Sequence, residues 1–279
     1  GSKMVAQINR VAFELFGLQI YWYAIIIVSG IALALWMSNR EAVRIGLKED
    51  DMTNFILWAL PIAIIGARLY YILFDLEPYL ADPIQIFNTR SGGLAIYGGL
   101  IAAVIVLIVY TRHNFIDPWL FLDVVAPGVM LGQAMGRWGN FTNHEAYGGE
   151  TTRQFLESLH LPQFIINNMY IDGAFRQPTF FYESMWSLLG LILILIIRKK
   201  VAVKRGELFL GYVTWYSFGR FFVEGMRTDS LYFFGELRVS QVLSLVLFVG
   251  GIALLYYRRK KRTDIKLYER DQGTNQALI

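Results

Sequence analysis

The chain has 279 residues, 55% apolar and 15% aromatic, with a mean hydropathy of +0.42 and a formal net charge of +4. Only 17% of the residues are charged, whereas a soluble domain carries about 25%, which excludes an ordinary soluble protein and points to a lipid bilayer. There is no cysteine and there are three histidines, His113, His144 and His160, so disulfides, thiolate metal sites and a thiol nucleophile from this chain are excluded and a histidine-rich metal centre is disfavoured.

In chain order, Gly1-Ser2-Lys3 before Met4 reads as an expression scar. The first apolar run, Leu18–Trp36, predicts a spanning helix and lacks the small-residue cleavage site of a signal peptide. Met52–Phe74, Leu94–Tyr110, Pro118–Met135, Thr179–Ile197, Leu208–Val223 and Val239–Tyr257 complete seven candidate spans, the expected length being about 17–25 residues. Asp117-Pro118 supplies a helix start, an N-cap with proline at the first helical position. The predicted fold is an all-α integral membrane protein over residues 4–262. Residues 75–93 and 136–178 form the two long outward segments. The second holds a polar stretch, Thr151–Gly173, large enough for a small extracytoplasmic cap with strand character around Phe164–Ile171. Residues 263–279 form a polar cytoplasmic tail, expected to be poorly ordered.

Basic residues set the orientation. Arg40, Arg44 and Lys48 follow the first span and Arg112 the third. Arg198, Lys199, Lys200, Lys204 and Arg205 follow the fifth, and Arg258 to Arg262 the seventh. The positive-inside rule then places the N-terminus outside and the C-terminus in the cytoplasm. The same residues can meet anionic headgroups.

Charge inside a bilayer is costly and marks function. Arg68 lies within the second apolar run and Arg137 follows the fourth. Tyr216, Arg220, Glu224 and Arg227 are spaced i, i+4, i+8 and i+11, one face of a helix. Arg220 and Glu224 can pair and lower the cost of burial. A structural role, as a helix-linking ion pair or snorkelling arginines, competes with a functional one. Four arginines exceed the carboxylates Asp75, Glu145 and Glu224, and a guanidinium fork matches phosphate oxygens. Tyr97, Gly98 and Gly99 enter the third span, where glycine lets a backbone or a headgroup approach closely. Tyr97 and the Tyr21-Trp22-Tyr23 row also fit an interfacial aromatic belt.

With these residues assembled, the chain resembles the prolipoprotein diacylglyceryl transferase family of bacterial inner membranes. The segment Gly136-Arg137-Trp138-Gly139-Asn140-Phe141-Thr142-Asn143-His144-Glu145-Ala146-Tyr147-Gly148 is similar to the family signature GRxGNFxNxExxG. Trp22-Tyr23, Gly66-Ala67-Arg68, Gly98-Gly99, Pro178-Thr179 with Tyr182-Glu183, and Tyr216, Arg220, Glu224 and Arg227 occur in family order. The resemblance implies transfer of the diacylglyceryl group of phosphatidylglycerol to the lipobox cysteine of a prolipoprotein signal peptide, forming a thioether and releasing glycerol 1-phosphate. It implies a multi-pass protein of the bacterial cytoplasmic (inner) membrane with no cofactor, no metal and no nucleic-acid partner.

On that resemblance Arg137 and Arg220 hold the phosphate and stabilise the charge of the leaving group. Asn140, Asn143 and Glu145 bind headgroup hydroxyls or orient the arginines, and Tyr216 and Glu224 orient Arg220. Tyr23, Arg68, Gly98 and Gly148 complete the expected substrate-binding set. Tyr97 stands where many family members carry a histidine cast as the base for the thiol. A free tyrosine titrates near about 10 and a thiol near about 8.5, so a neutral phenol is a poor base. Three accounts stay open: a tyrosinate held by arginines, activation by the arginine field with Tyr97 orienting the thiol, or His144 as base beside Glu145. Rival classes have specific deficits. A retinal protein needs a lysine that Val239–Tyr257 lacks. A transporter lacks a visible internal repeat. A scaffold presenting phosphatidylglycerol would not consume it.

Overall fold

A computed structural model of the protein describes residues 7–74, 96–226, 232–233 and 237–269. Asp75, Ser91-Gly92-Gly93 and Arg227 lie outside the described residues. The chain divides into two compact units, 1–37 with 125–268 and 38–124 with 269–279.

A two-stranded hairpin, β1 (Val11–Leu15) and β2 (Leu18–Tyr21), precedes α1 (Trp22–Ile45). The first helix therefore starts later than the apolar run suggests. Leu18–Tyr21 pairs with β1 across the Phe16-Gly17 turn, where both residues take a positive φ. Then come α2 (Asp51–Phe74), α3 (Ile96–His113) and α4 (Pro118–Thr142). The Asp117 carboxylate accepts the Trp119 N–H at 3.0 Å, the cap that Asp-Pro predicts.

The segment after α4 forms a cap on the first unit. It contains β3 (Glu150–Thr151), α5 (Arg153–Ser158), α6 (Gln163–Asn168), β4 (Tyr170–Ile171) and β5 (Ala174–Arg176), with the sheet ordered β3-β5-β4. Phe164–Asn168 is helical, and strand begins only at Tyr170. Residues 136–142 likewise belong to α4 rather than to the cap. Phe141, Leu156, Leu161, Ile165, Ile166, Met169 and Phe180 form the cap's core. Next are α7 (Thr179–Lys200), α8 (Glu207–Glu224), the short strands β6 (Tyr232–Phe233) and β7 (Leu237–Arg238), and α9 (Val239–Tyr256), which ends in a π-helical turn at Tyr257–Lys261. Residues 263–268 are tied down. Arg205 N–H donates to Lys266 O and Tyr268 N–H to Val203 O, and the Tyr268 side chain is fully buried.

Among the described residues five helices are long and apolar enough to cross a membrane: Trp22–Ile45, Asp51–Tyr70, Pro118–Thr142, Thr179–Lys200 and Gln241–Lys261. The chain is an all-α membrane protein to that extent. Helix α3 is apolar but shorter, and α8 contains Glu207, Arg220 and Glu224. In the second unit α2 packs on α3 through Gly66 and Gly98. A Cβ on Gly66 would lie 2.6 Å from Ala102 Cβ, and one on Gly98 would overlap Tyr70 and the Gly66 carbonyl. Glycine here serves backbone approach between helices.

Candidate active site

Three helices of the first unit converge. Helix α4 supplies Gln133 and Arg137, α7 supplies Glu183, Trp186 and Ser187, and α8 supplies Tyr216, Gly219, Arg220 and Val223. Together they line one pocket. At its centre the Glu183 carboxylate accepts from two arginines, Oε2 from Arg137 Nη1 at 3.1 Å and Oε1 from Arg220 Nη1 at 2.5 Å. Arg220 Nη2 donates to Glu224 Oε2 at 2.7 Å, the i, i+4 pair that the spacing predicts. Two cations and two carboxylates form one chain, Arg137–Glu183–Arg220–Glu224. Exposure runs from 29% for the Arg137 side chain to 5% for Glu224, so Arg137 is the open end. The expected surplus of guanidinium is reduced here, because Glu183 adds a carboxylate shared by both arginines. Its signal was present in the sequence as the Tyr182-Glu183 pair three residues into a spanning helix.

Rungs of neutral hydrogen bonds fix this geometry. Trp138 Nε1 donates to Ser184 Oγ at 3.1 Å, and Ser184 Oγ donates to Ala134 O at 2.9 Å. Both join α4 to α7 through Ser184, the residue next to Glu183. Between α7 and α8 the indoles of Trp186 and Trp215 stack at 3.9 Å and 7°. Trp186 Nε1 donates to Trp215 O at 2.9 Å and Trp215 Nε1 to Trp186 O at 2.8 Å. Gly219 and Gly190 leave the notches in which the two rings lie.

The rest of the signature turns away from this pocket. Helix α4 ends in a Schellman motif, with Glu145 N–H on Asn140 O, His144 N–H on Phe141 O, and His144 at φ 54°. His144 thus holds the left-handed position that glycine or asparagine usually takes. Its Nε2 lies 3.1 Å from Asn168 Oδ1. Asn168 Nδ2 donates to Phe164 O and its Oδ1 also accepts the Ile8 N–H at 2.7 Å. The amide orientation is thereby set, and Nε2 is the donor toward it. Asn140, His144 and Glu145 line a second pocket with Tyr147, Met169 and Thr179 among others.

Asn143 continues the helix, N–H to Gly139 O, and lines neither pocket. Gly148 is enclosed by protein: a Cβ there would lie 2.5 Å from Gln177 Cβ, and its N–H donates to Gln177 O. Tyr23 packs its ring against Gly139, where a Cβ would lie 2.9 Å from Tyr23 Cδ2. Arg68, Tyr97 and Gly98 belong to the second unit. There Arg68 is buried in α2 and the Tyr97 ring lies 6.4 Å from that of Tyr70.

The model of one family, prolipoprotein diacylglyceryl transferase, matches residues 10–257. The chain belongs to that family. Among its diacylglyceryl transferase relatives, a protein of Enterococcus faecalis is 62% identical over 270 residues, covering 96% of this chain and 97% of its own. A Bacillus cytotoxicus protein is 54% identical over 264 residues, covering 95% and 97%. A Bacillus cereus protein is 53% identical with the same coverage. All three bear the name phosphatidylglycerol--prolipoprotein diacylglyceryl transferase. As a member of this diacylglyceryl transferase family the chain is a transferase, and the resemblance drawn from its signature holds over nearly its full length.

Proposed function

We propose that this chain transfers the diacylglyceryl group of phosphatidylglycerol to the thiol of a prolipoprotein lipobox cysteine. The observation that carries this reading is the 62% identity, over 96% of the chain, to a relative named for that reaction. The sulfur forms a bond to the third glycerol carbon of the diacylglyceryl group. The carbon–oxygen bond to phosphate breaks, its electron pair stays on oxygen, and the thiol proton is lost. Glycerol 1-phosphate leaves with one more negative charge than it carried as a diester.

Arg137 and Arg220 are assigned to receive that charge. A guanidinium has five N–H donors, so each arginine can keep its bond to Glu183 and still present donors to phosphate. Glu183 sets the spacing of the two forks and offsets their charge while the pocket is empty of lipid. Donors fixed beforehand in a poorly solvated pocket stabilise developing charge strongly. Tyr216 and Glu224 orient Arg220. Asn140 and Glu145, in the second pocket, are assigned the headgroup hydroxyls, and Asn143 a supporting role in holding that turn. Tyr97 is assigned to orient the acceptor thiol rather than to deprotonate it, because a free phenol titrates near about 10 and a thiol near about 8.5. Arg68, Tyr23, Gly98 and Gly148 act through packing.

The finer topology belongs to the same proposal: seven spans, N-terminus outside, C-terminus inside, in the cytoplasmic membrane of a bacterium. Helices at all seven apolar runs support it, as do the basic clusters on alternate connections. The deciding experiment is mass spectrometry of a lipobox peptide after incubation with purified protein and phosphatidylglycerol. The expected product carries a thioether-linked diacylglyceryl group, with one glycerol phosphate released per peptide. A peptide left unmodified while lipid moves between leaflets would mark a transporter instead.

A further inference from the structure

The β1–β2 hairpin has two unlike faces. The register pairs Leu15 with Leu18 and Phe13 with Ile20, and between them Glu14 with Gln19. Alternation across a strand puts Phe13, Leu15, Leu18 and Ile20 on one face and Glu14 and Gln19 on the other. The apolar face is uncovered. Leu18 is 67% exposed, Phe13 and Leu15 are each 51% exposed, and Phe16 at the tip is 96% exposed. Phe16 sits there at φ 51°, a conformation unfavourable for a bulky side chain. An isolated two-stranded hairpin is marginal in water, and this one leaves its own hydrophobic side open.

Its position is fixed at both ends. At the base, Trp22 N–H donates to Arg10 O at 3.0 Å. Before β1, Ile8 N–H donates to Asn168 Oδ1, and the Gln7 side chain to the carbonyls of Asn167 and Tyr170. The hairpin therefore stands between the cap and the first residue of α1, a helix apolar enough to cross a membrane. Tyr21, Trp22 and Tyr23 mark the junction and are partly exposed, the amphipathic aromatics found at headgroup depth. Further along α1, Val28 and Leu33 are also uncovered.

We propose that the β1–β2 hairpin is a membrane-interface foot. Its Phe13, Leu15, Phe16 and Leu18 face lies in the headgroup–acyl boundary of the leaflet on the cap side, and Glu14 and Gln19 face water. The occupant of the uncovered face is lipid because the hairpin leads directly into the first residue of a helix long and apolar enough to cross a membrane, through Tyr21, Trp22 and Tyr23, aromatics of the kind found at headgroup depth. Burial of apolar area at such a boundary is favourable, which accounts for the open hydrophobic face. The foot holds the cap, through Ile8, Asn168 and His144, at a set depth over the bilayer. The proposal rests on α1 spanning the membrane and is independent of the reaction performed.

The absence of cysteine makes single-cysteine labelling clean. Phe16→Cys, Leu18→Cys, Gln19→Cys and Val28→Cys variants would each carry an environment-sensitive fluorophore in phosphatidylethanolamine–phosphatidylglycerol vesicles. Phe16 is almost wholly exposed, so its replacement removes no packing contact. Labels at 16 and 18 are expected to be quenched severalfold more by a shallow nitroxide lipid than by aqueous iodide. The label at 19 should show the reverse, and the label at 28 should respond to a deep nitroxide lipid. Iodide quenching at 16 and 18 equal to that at 19, with 28 still in lipid, overturns the foot. So does protection at 16 and 18 that appears only at high protein density or only with a signal peptide added, since a second copy or the peptide would then cover the face. Failure at 28 sinks the spanning reading itself, and the foot with it.

Discussion

Glu183 is the residue on which the pocket turns, because one carboxylate engages Arg137 and Arg220 together. Removing one partner of a buried ion pair costs about 3–5 kcal/mol, so Arg220→Ala confounds folding with catalysis. Arg220→Lys keeps the charge and loses the planar fork. It is expected to keep most of its thermal stability and to lower kcat by about 10²–10³-fold, the usual effect of deleting a preorganised donor. Arg137→Ala, at the open end of the chain, should behave likewise. Near-normal turnover in both would remove the phosphate-holding role. His144 gives the opposite test. At φ 54° a non-glycine residue is disfavoured by about 1–2 kcal/mol, so His144→Gly relieves strain as it loses the Asn168 contact. Turnover in that variant should stay within a few-fold of the parent, alongside a Tyr97→Phe variant that is impaired. A dead His144→Gly that folds normally would make His144 the base. Arg137, Arg220 and Glu224 were legible because charge inside apolar runs stands out and their spacing fits a helix. Glu183 was legible only as part of the Tyr182-Glu183 block, because its pairing with arginines of two other helices is a tertiary contact that spacing along one helix does not reveal.

At the scale of elements, the pocket depends on the register between α7 and α8. The Trp186–Trp215 pair sets it with a stacked contact, worth about 0.5–1.5 kcal/mol beyond burial, and two indole-to-carbonyl hydrogen bonds, worth about 1 kcal/mol each. Trp186 lies one turn from Glu183, and Gly219, which receives its ring, precedes Arg220. Trp215→Phe keeps a ring and loses one hydrogen bond. It is expected to lower stability modestly and kcat more than KM, since the arginines would no longer be held for the charged transition state. Gly190→Ala should do more, because its Cβ overlaps the Trp215 ring. Equal losses of kcat and folded fraction in both variants would reduce the clamp to a purely structural device. Among the described residues a helix lies at each of the seven apolar runs, five of them long and apolar enough to cross a membrane, but the start of the first was not readable. Leu18–Tyr21 is as apolar as the helix that follows, so composition alone could not separate strand from helix. In the cap, the strand expected at Phe164–Ile171 divides into α6 and β4, because short mixed segments carry little periodicity.

On the scale of the whole molecule, the orientation of the first unit can be fixed along one helix. Helix α7 has 22 residues, which at about 1.5 Å each is about 33 Å, enough to cross a hydrocarbon core of about 30 Å. It leaves the cap at Thr179 and ends in Arg198-Lys199-Lys200, so the cap and a basic cluster occupy its opposite ends. The C-terminal side reinforces that end. Lys204 Nζ donates to the carbonyls of Arg259 and Arg262 at 3.1 and 2.9 Å, a cation against the end of a helix, and residues 266–268 bond back to 203–205. In the orientation proposed above from the positive-inside rule, the basic end lies in the cytoplasm. This can be measured with Glu157→Cys in the cap and Lys199→Cys at the far end. Glu157 makes only an exposed i, i+4 pair with Arg153, a contact worth little, so its loss should not disturb the fold. A membrane-impermeant maleimide added to intact spheroplasts should label position 157 at once and position 199 only after lysis. The reverse pattern would turn the molecule over and place the arginine pocket's cap on the side where the basic loops are now assigned. Labelling of both positions without lysis would mean that α7 does not cross the bilayer. Since phosphatidylglycerol and the lipobox thiol would reach the pocket from the cap side, the same two cysteines also decide from which side of the membrane the acceptor must arrive.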